Sequence, residues 1–308
     1  MEEYPKSLAE FETWFSSEQA CRDYLYRLRW PNGFTCPRCS SLKAWPITTT
    51  LYECSGCHYQ LSVVTGTIFQ DTHKSLTVWF RAIWWVTGQK NGASALGLKR
   101  ILGLGSYRTA WTWLHKLRRA MVRPGRDCLS GMVEVDETFI GGEKPGKRGR
   151  GATGKILVGI AVEDKEDEGL GRIRLGILQD ASANCLTAFV EERVVGGSTI
   201  RTDDWLGYSK LESAGYRHVT VKKTELKLAH LVASLLKRWL LGTHQGGVSP
   251  EHLAYYLDEY TFRFNRRTST HRGKLFMRLL ENAVQIDPVT QGQIIQHIRG
   301  RKPKGHNI

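Results

Sequence analysis

The stretch Met132-Val133-Glu134-Val135-Asp136-Glu137-Thr138-Phe139-Ile140-Gly141-Gly142 decides how the rest of the chain is read. Valine, threonine, phenylalanine and isoleucine favour a pleated, half-buried backbone, so the segment predicts a β-strand. At its centre stands Asp136. A carboxylate among strand formers costs free energy unless it binds something, which makes Asp136 a candidate ligand or catalytic group. A glycine-rich basic loop follows, Glu143 to Lys155, with Lys147, Arg148 and Arg150. It lacks G-x4-G-K-[ST], so it reads as a phosphate-contacting hairpin and not as a P-loop. Two further strands are expected at Ile156 to Val162 and Arg172 to Leu178, and a helix from about Asn184 to Arg193. A short strand, Ser198 to Thr202, then ends on Asp203-Asp204-Trp205-Leu206-Gly207-Tyr208.

The charge balance supports a polyanionic partner. Across 308 residues, 44 Lys and Arg face 30 Asp and Glu, a net charge of +14. From Thr72 to Arg126 there is no acid at all against eleven Lys and Arg, whereas a solvated face normally mixes signs. Such segregation is the electrostatic footprint of nucleic acid binding. No apolar run approaches the ~18 residues a membrane helix needs. The acidic N-terminus lacks the apolar core of a secretory signal, so a cytoplasmic location and no membrane partner are expected.

Four of the seven cysteines form two knuckles, Cys36-Pro-Arg-Cys39 and Cys54-Ser-Gly-Cys57, with fourteen residues between them. Two residues between thiolates let one tight turn aim both sulfurs at a single tetrahedral ion, and four soft sulfurs suit structural Zn²⁺ with no open position for water. Gly56 is expected to serve the second turn through a positive φ. Disulfides would need an oxidising compartment, and a redox pair would need only one such motif. Strand formers between and after the knuckles complete a zinc ribbon. Cys21, Cys128 and Cys185 have no partner spacing and are expected as buried thiols.

Beyond the ribbon, Ser75 to Val86 predicts a helix with Ser75 as N-cap. Ser94 to Leu102 and Ser106 to Val122 predict two more, joined through Gly103-Leu104-Gly105. Two helices with a glycine turn match a helix-turn-helix, whose second helix enters the major groove. Tyr107, Arg108, Thr109 and Trp113 are then candidates to meet base or phosphate, with Lys116, Arg118 and Arg119 as further basic contacts.

Three strands, a helix, a strand ending in an acid and further helices is the order of an α/β, ribonuclease-H-like fold. The motifs V-E-V-D-E-T-F-I-G-G, T-D-D-W-L-G-Y, the helical H-x6-K of His230 and Lys237, and F-R-F-N-R-R at Phe262 to Arg267 resemble the DDE-type insertion-sequence transposases that carry an N-terminal zinc ribbon. The similarity runs from about Phe11 to Leu280, with the motifs in the family's order. It implies Asp136 as the first catalytic aspartate and Asp203 as the second, with the adjacent Asp204 as the alternative. The family's simplest pattern has Glu seven residues before the helical Lys. Here that position is His230, a variant form, with Glu225 as the nearest carboxylate that could substitute. Seven residues is nearly two turns, so His230 and Lys237 share one face about 10.5 Å apart, beside an apolar face of Leu228, Leu231, Leu235 and Trp239.

The resemblance implies two divalent ions, Mg²⁺ or Mn²⁺, about 3.5–4 Å apart, assisting in-line attack on a phosphodiester. Asp136 would bridge them, Asp203 would hold one, His230 would complete the other, and Lys237 would contact phosphate. Arg263, Arg266 and Arg267 would face the DNA backbone. The expected organisation is a helical lead (1–30), zinc ribbon (31–70), helix-turn-helix region (72–126), ribonuclease-H-like domain (130–284) and basic tail (285–308). The expected activity is cleavage and strand transfer at the ends of an element in double-stranded DNA. Pairing two ends needs two active sites, hence a homodimer or higher assembly. A zinc-ribbon DNA-binding regulator would explain Cys36 to Arg126 but not the acid-bearing strands. A nuclease of the same fold would cut without joining, and a decayed transposase would explain the histidine.

Overall fold

The computed structural model describes residues 3–123, 125–141, 155–166, 169–245 and 248–296. The chain divides into two compact units, Met1–Pro124 with Ser269–Ile308, and Gly125–Thr268.

The first unit holds α1 (Leu8–Trp14), α2 (Glu18–Arg29), a three-stranded antiparallel ribbon β1 (Ala44–Pro46), β2 (Tyr52–Cys54) and β3 (Gln60–Leu61), then α3 (Leu76–Gly88), α4 (Ala95–Ile101) and α5 (Tyr107–Ala120). From the other end of the chain it takes α9 (Arg272–Ala283) and α10 (Gln291–Ile295). Ser94 and Ser106 cap α4 and α5 as their positions predict, accepting from the backbone N–H of Gly97 and Thr109. Ser75 stands at the N-cap of α3 but makes no capping bond. The carboxylate of Glu18 does so instead, accepting from Leu76 and Thr77 at 2.9 and 3.2 Å.

The second unit ends at Thr268, ahead of the boundary expected at residue 284. Phe276 on α9 lies 5.6 Å from Phe80, 5.5 Å from Phe15 and 5.4 Å from Phe11, ring centre to ring centre. Asn282 donates to the Ala120 carbonyl at 2.8 Å. The helix after Thr268 therefore fills the aromatic core of the first unit, because its apolar face has its partners there. The residues from 285 are likewise no free tail as far as 296: Thr290 caps α10, Ile294 is buried, and Gln291 donates to Thr112 at 2.8 Å. The basic residues beyond Gln296 lie outside the described residues.

The second unit is built on one five-stranded sheet: β4 (Met132–Ile140), β5 (Ile156–Asp164), β6 (Leu170–Leu178), β7 (Thr199–Thr202) and β8 (Arg217–Thr220), in the order β6-β5-β4-β7-β8. The first three strands form an antiparallel meander. β7 lies parallel to the other side of β4, and β8 parallel to β7. This is a ribonuclease-H-like sheet. Helix α6 (Ala183–Glu191) covers one face, packing Leu186, Phe189 and Val190 on Val133, Val135 and Ile200. Helices α7 (Lys227–His244) and α8 (Leu253–Phe264) cover the other, over Ile140, Ile160 and Ile173. The apolar stripe of α7 is Ala229, Val232, Ala233, Leu236 and Leu240. Leu231, expected among the packed residues, is 46% exposed instead. No helix among the described residues is long and apolar enough to cross a membrane.

Candidate active site and zinc ribbon

Side chains alternate along a strand, so Glu134, Asp136 and Ile140 point to the α7 side of the sheet while Val133 and Val135 point to α6. Parallel pairing of β4 with β7 sets Met132 opposite Thr199, Val133 opposite Ile200 and Glu134 opposite Arg201. β7 ends at Thr202, and Asp203 follows it; Lys223, whose ammonium stands 3.9 Å from Asp203, also acts electrostatically on Asp136. Asp136 and Asp203 are both buried, at 5% and 8% exposure, while Asp204 is exposed. Burial thus separates the two adjacent aspartates.

His230 arrives from α7. Its Nε2 lies 3.3 Å from Asp136 Oδ2. Burial raises the Asp136 carboxyl above the ordinary 3.8, while the Glu137 backbone N–H, Lys223 and His230 pull it back down. Lys237 is exposed two turns further along α7, and Glu225 is exposed in the turn before it. A residue that sequence reasoning missed is Lys223, whose Nζ stands 3.9 Å from Asp203 Oδ2. Its signal was weak, a Lys-Lys pair just ahead of the helix.

The turn after Asp203 is locked from several sides. Asp203 Oδ1 accepts from the Trp205 backbone N–H at 3.2 Å, and the Trp205 indole donates to the Ala181 carbonyl at 2.9 Å. A Cβ on Gly207 would lie 2.4 Å from that carbonyl, so the close approach requires glycine. Tyr208 donates to Glu137 at 2.7 Å, joining the motif to β4. Burial and the Glu137 carboxylate push the Tyr208 hydroxyl well above its ordinary value, which keeps it a donor.

In the ribbon the four cysteine sulfurs lie within 4.8 Å of one another, the one such cluster of possible metal ligands among the described residues. Cys36 and Cys57 are 3.7 Å apart, Cys39 and Cys54 3.5 Å. Sulfurs at 2.3 Å from one tetrahedral zinc would be about 3.8 Å apart, so the donor set fits that ion. The two knuckles are built alike. Backbone N–H groups of Arg38 and Gly56 point at Cys36 and Cys54 sulfur, both at 3.4 Å. The positive φ expected at Gly56 occurs instead one residue after each knuckle, at Ser40 and His58, 61° and 54°. Gly56 instead saves room, since its Cβ would lie a tight 3.2 Å from that of Ser41. Of the other thiols Cys21 is buried, while Cys128 and Cys185 are only half-buried, contrary to expectation.

The predicted basic contacts divide. Arg108 is exposed beside Tyr107 at the start of α5. Arg118 is 2% exposed and faces His115, and Lys116 reaches the Ile68 carbonyl at 3.4 Å. Trp113 stacks on Trp79 with ring centres 3.7 Å apart, so it is core and not a groove reader. Arg119 is half-buried. Arg266 covers Phe262, and Arg267 donates to the carbonyls of Leu170, Gly171 and Phe264. These two tie α8 to itself and to β6. Arg263 is held by Glu259 at 2.8 Å. The loop with Lys147, Arg148 and Arg150 lies outside the described residues.

Residues 128–265 match the ISXO2-like transposase domain and residues 16–60 the transposase zinc-ribbon domain. A protein of Halobacterium salinarum described as an uncharacterized protein in transposable element ISH50 is 27% identical over 297 residues, spanning 88% of this chain and 98% of its own length. Among solved structures, the simian T-cell lymphotropic virus intasome in complex with PP2A regulatory subunit B56 gamma aligns at 16% identity and TM-score 0.31, over 59% of this chain and 64% of that one. The Mos1 strand transfer complex aligns at 12% identity and TM-score 0.29, over 67% and 75%. The ribbon and the transposase domain, which together take in more than half of the chain, place this protein among the zinc-ribbon-bearing DDE-type insertion-sequence transposases of the ISXO2-like kind.

Proposed function

We propose that this chain binds the ends of its element as double-stranded DNA and catalyses their cleavage and strand transfer, using Asp136, Asp203 and His230. The observation that carries this reading is the convergence itself. The β4–β7 register, Glu134 opposite Arg201, runs toward Asp136 on one strand and toward Asp203 just past the end of the other, and an imidazole nitrogen from a distant helix stands 3.3 Å from Asp136. Two carboxylates and one neutral imidazole suit Mg²⁺ or, with its greater tolerance of nitrogen, Mn²⁺. When bound, such ions supply activation of the attacking oxygen and stabilisation of the leaving one.

The protein's own part is positioning and charge. Asp136 is held on a rigid central strand, so its carboxylate does not reorganise during reaction. Lys223, 3.9 Å from Asp203, and Lys237, further along α7, offer ammonium groups to the phosphates around the scissile bond. Arg108 and Tyr107, exposed at the N-terminus of α5, meet the DNA groove, and structural Zn²⁺ held by Cys36, Cys39, Cys54 and Cys57 sustains the ribbon. Two ends processed together require two chains, hence a homodimer or larger assembly on DNA.

The test is Asp136→Ala on a duplex carrying an element end. Retained binding in gel shift with loss of strand cleavage is the expected result. Cleavage at the wild-type rate would overturn the reading. If the wild type cuts but never joins pre-cut ends to a target, the chain is a nuclease alone.

A further inference from the structure

Glu134 lies one rung below Asp136 on the same face of β4, and it is 2% exposed. A carboxylate buried this deeply must have partners, and here its two oxygens have different ones. Oε2 accepts from the backbone N–H of Leu228 and of Ala229, both at 2.9 Å. Oε1 stands 3.7 Å from the guanidinium of Arg201, its register partner on β7, and Arg201 also reaches Asp164 at 3.3 Å. Helix α7 begins at Lys227, and its N-cap residue Leu226 provides no side-chain cap. Glu134 is therefore the cap of α7, supplied from the strand that bears Asp136, with its negative charge at the positive end of an 18-residue helix.

The next residue after the two bonded amides is His230. We propose, resting on the active-site reading above, that Glu134 is a positioning residue: it clamps the first turn of α7 to β4 and so sets His230 against Asp136. Through Arg201 the same clamp extends to β7, two residues before Asp203. One buried side chain thus joins the three segments that carry the site. It touches neither substrate nor ion.

The test uses the full-length protein and Mn²⁺ as probe. Glu134→Gln keeps the shape and one accepting oxygen but removes the charge. Folding is checked by circular dichroism, DNA affinity by gel shift, and Mn²⁺ affinity without DNA by the paramagnetic resonance signal of the free ion. Losing a residue that holds a metal ligand in place costs about 10- to 100-fold in metal affinity or activity. The expected result is a folded protein with wild-type DNA affinity, Mn²⁺ affinity lowered about tenfold, and single-turnover cleavage lowered about 10- to 100-fold. In a His230→Ala background Glu134→Gln should lower Mn²⁺ affinity no further, a non-additivity that a general loss of stability would not produce. Wild-type Mn²⁺ affinity in Glu134→Gln, or full additivity with His230→Ala, overturns the inference. Glu134→Asp, which keeps the charge facing Arg201 but draws it back from the helix, is judged by the same criteria if the glutamine variant does not fold. Asp136→Asn is run in parallel. If it still cleaves, the active-site reading has failed; if it is inactive while Glu134→Gln behaves as wild type, only the positioning role has.

Discussion

His230 Nε2 lies 3.3 Å from Asp136 Oδ2, a contact between the central strand of the sheet and the second turn of α7. The imidazole is 39% exposed, so its removal leaves little void. His230→Ala should keep the wild-type melting temperature within the scatter of surface substitutions, about 0.5 kcal/mol. Its single-turnover cleavage in Mn²⁺ should fall roughly 100-fold, the scale of losing one preorganised electrostatic group. A folded variant with undiminished cleavage would remove His230 from the site. A large gain in His230→Glu over the wild type would mark the histidine as a lesion.

Burial raises the Asp136 carboxyl above its ordinary 3.8, which makes a stability prediction with a definite sign. The folded state then binds that proton more tightly than the unfolded chain. The native state is favoured at low pH and loses that advantage as pH rises through the folded-state value. Without added divalent ions, Asp136→Asn should melt above the wild type at pH 7, and the gap should close as pH falls toward 4. Thermal melts between pH 4 and 8 measure it. An offset independent of pH would contradict the burial argument.

The thiolate cluster predicts one zinc per chain by atomic absorption. Cys54→Ser removes a fully buried ligand and should abolish that zinc and open residues 31–70 to limited proteolysis. Structural zinc contributes about 10–16 kcal/mol to isolated finger peptides, so partial retention of the ribbon is not expected. Stoichiometric zinc in Cys54→Ser would contradict the four-sulfur site.

Arg108 and Arg118 sit on one helix with opposite surroundings, exposed and 2% exposed respectively. Arg108→Ala should weaken DNA binding and lower the salt dependence of affinity by about one counterion, with no change in melting temperature. Arg118→Ala should instead destabilise the fold by about 1–3 kcal/mol through its lost buried packing and hydrogen bonding. Urea titrations and salt-dependent gel shifts separate the two. Equal effects on binding at unchanged stability would refute the division.

Phe276 is 0% exposed among Phe11, Phe15, Phe80 and Trp84. Phe276→Ala should cost about 3–5 kcal/mol, seen as a lower urea midpoint of the first unit. A loss below about 1 kcal/mol would mean that α9 is not part of that core.

Much of the local structure is written in short-range pattern. Two Cys-x-x-Cys knuckles, serine caps at Ser94 and Ser106, and a strand interrupted by Asp136 each depend on neighbours a few residues away, and each appears where its residues stand. The order of strands around α6 likewise follows from period and punctuation. The knuckle turns show the limit of that reading: a glycine signals a special conformation but not which one, and Gly56 supplies space while Ser40 and His58 supply the positive φ.

By itself, then, the sequence determined the ribbon, the helices from α3 to α5, the strands β4 to β7 with α6 between them, the two cysteine knuckles and the candidate acids, but not β8, α9 or α10. Only the tertiary structure decided that β7 lies parallel to β4, with Glu134 opposite Arg201, and that Asp203 is buried while Asp204 is exposed. It also decided that Glu134 caps α7, that Lys223 reaches Asp203, that Trp113 and Arg118 turn inward, and that α9 returns to the first unit. The reason is common to all of these. An amphipathic face or a lone charge declares that it needs a partner, but the partner's identity depends on contacts between distant segments, which residue type and spacing do not encode.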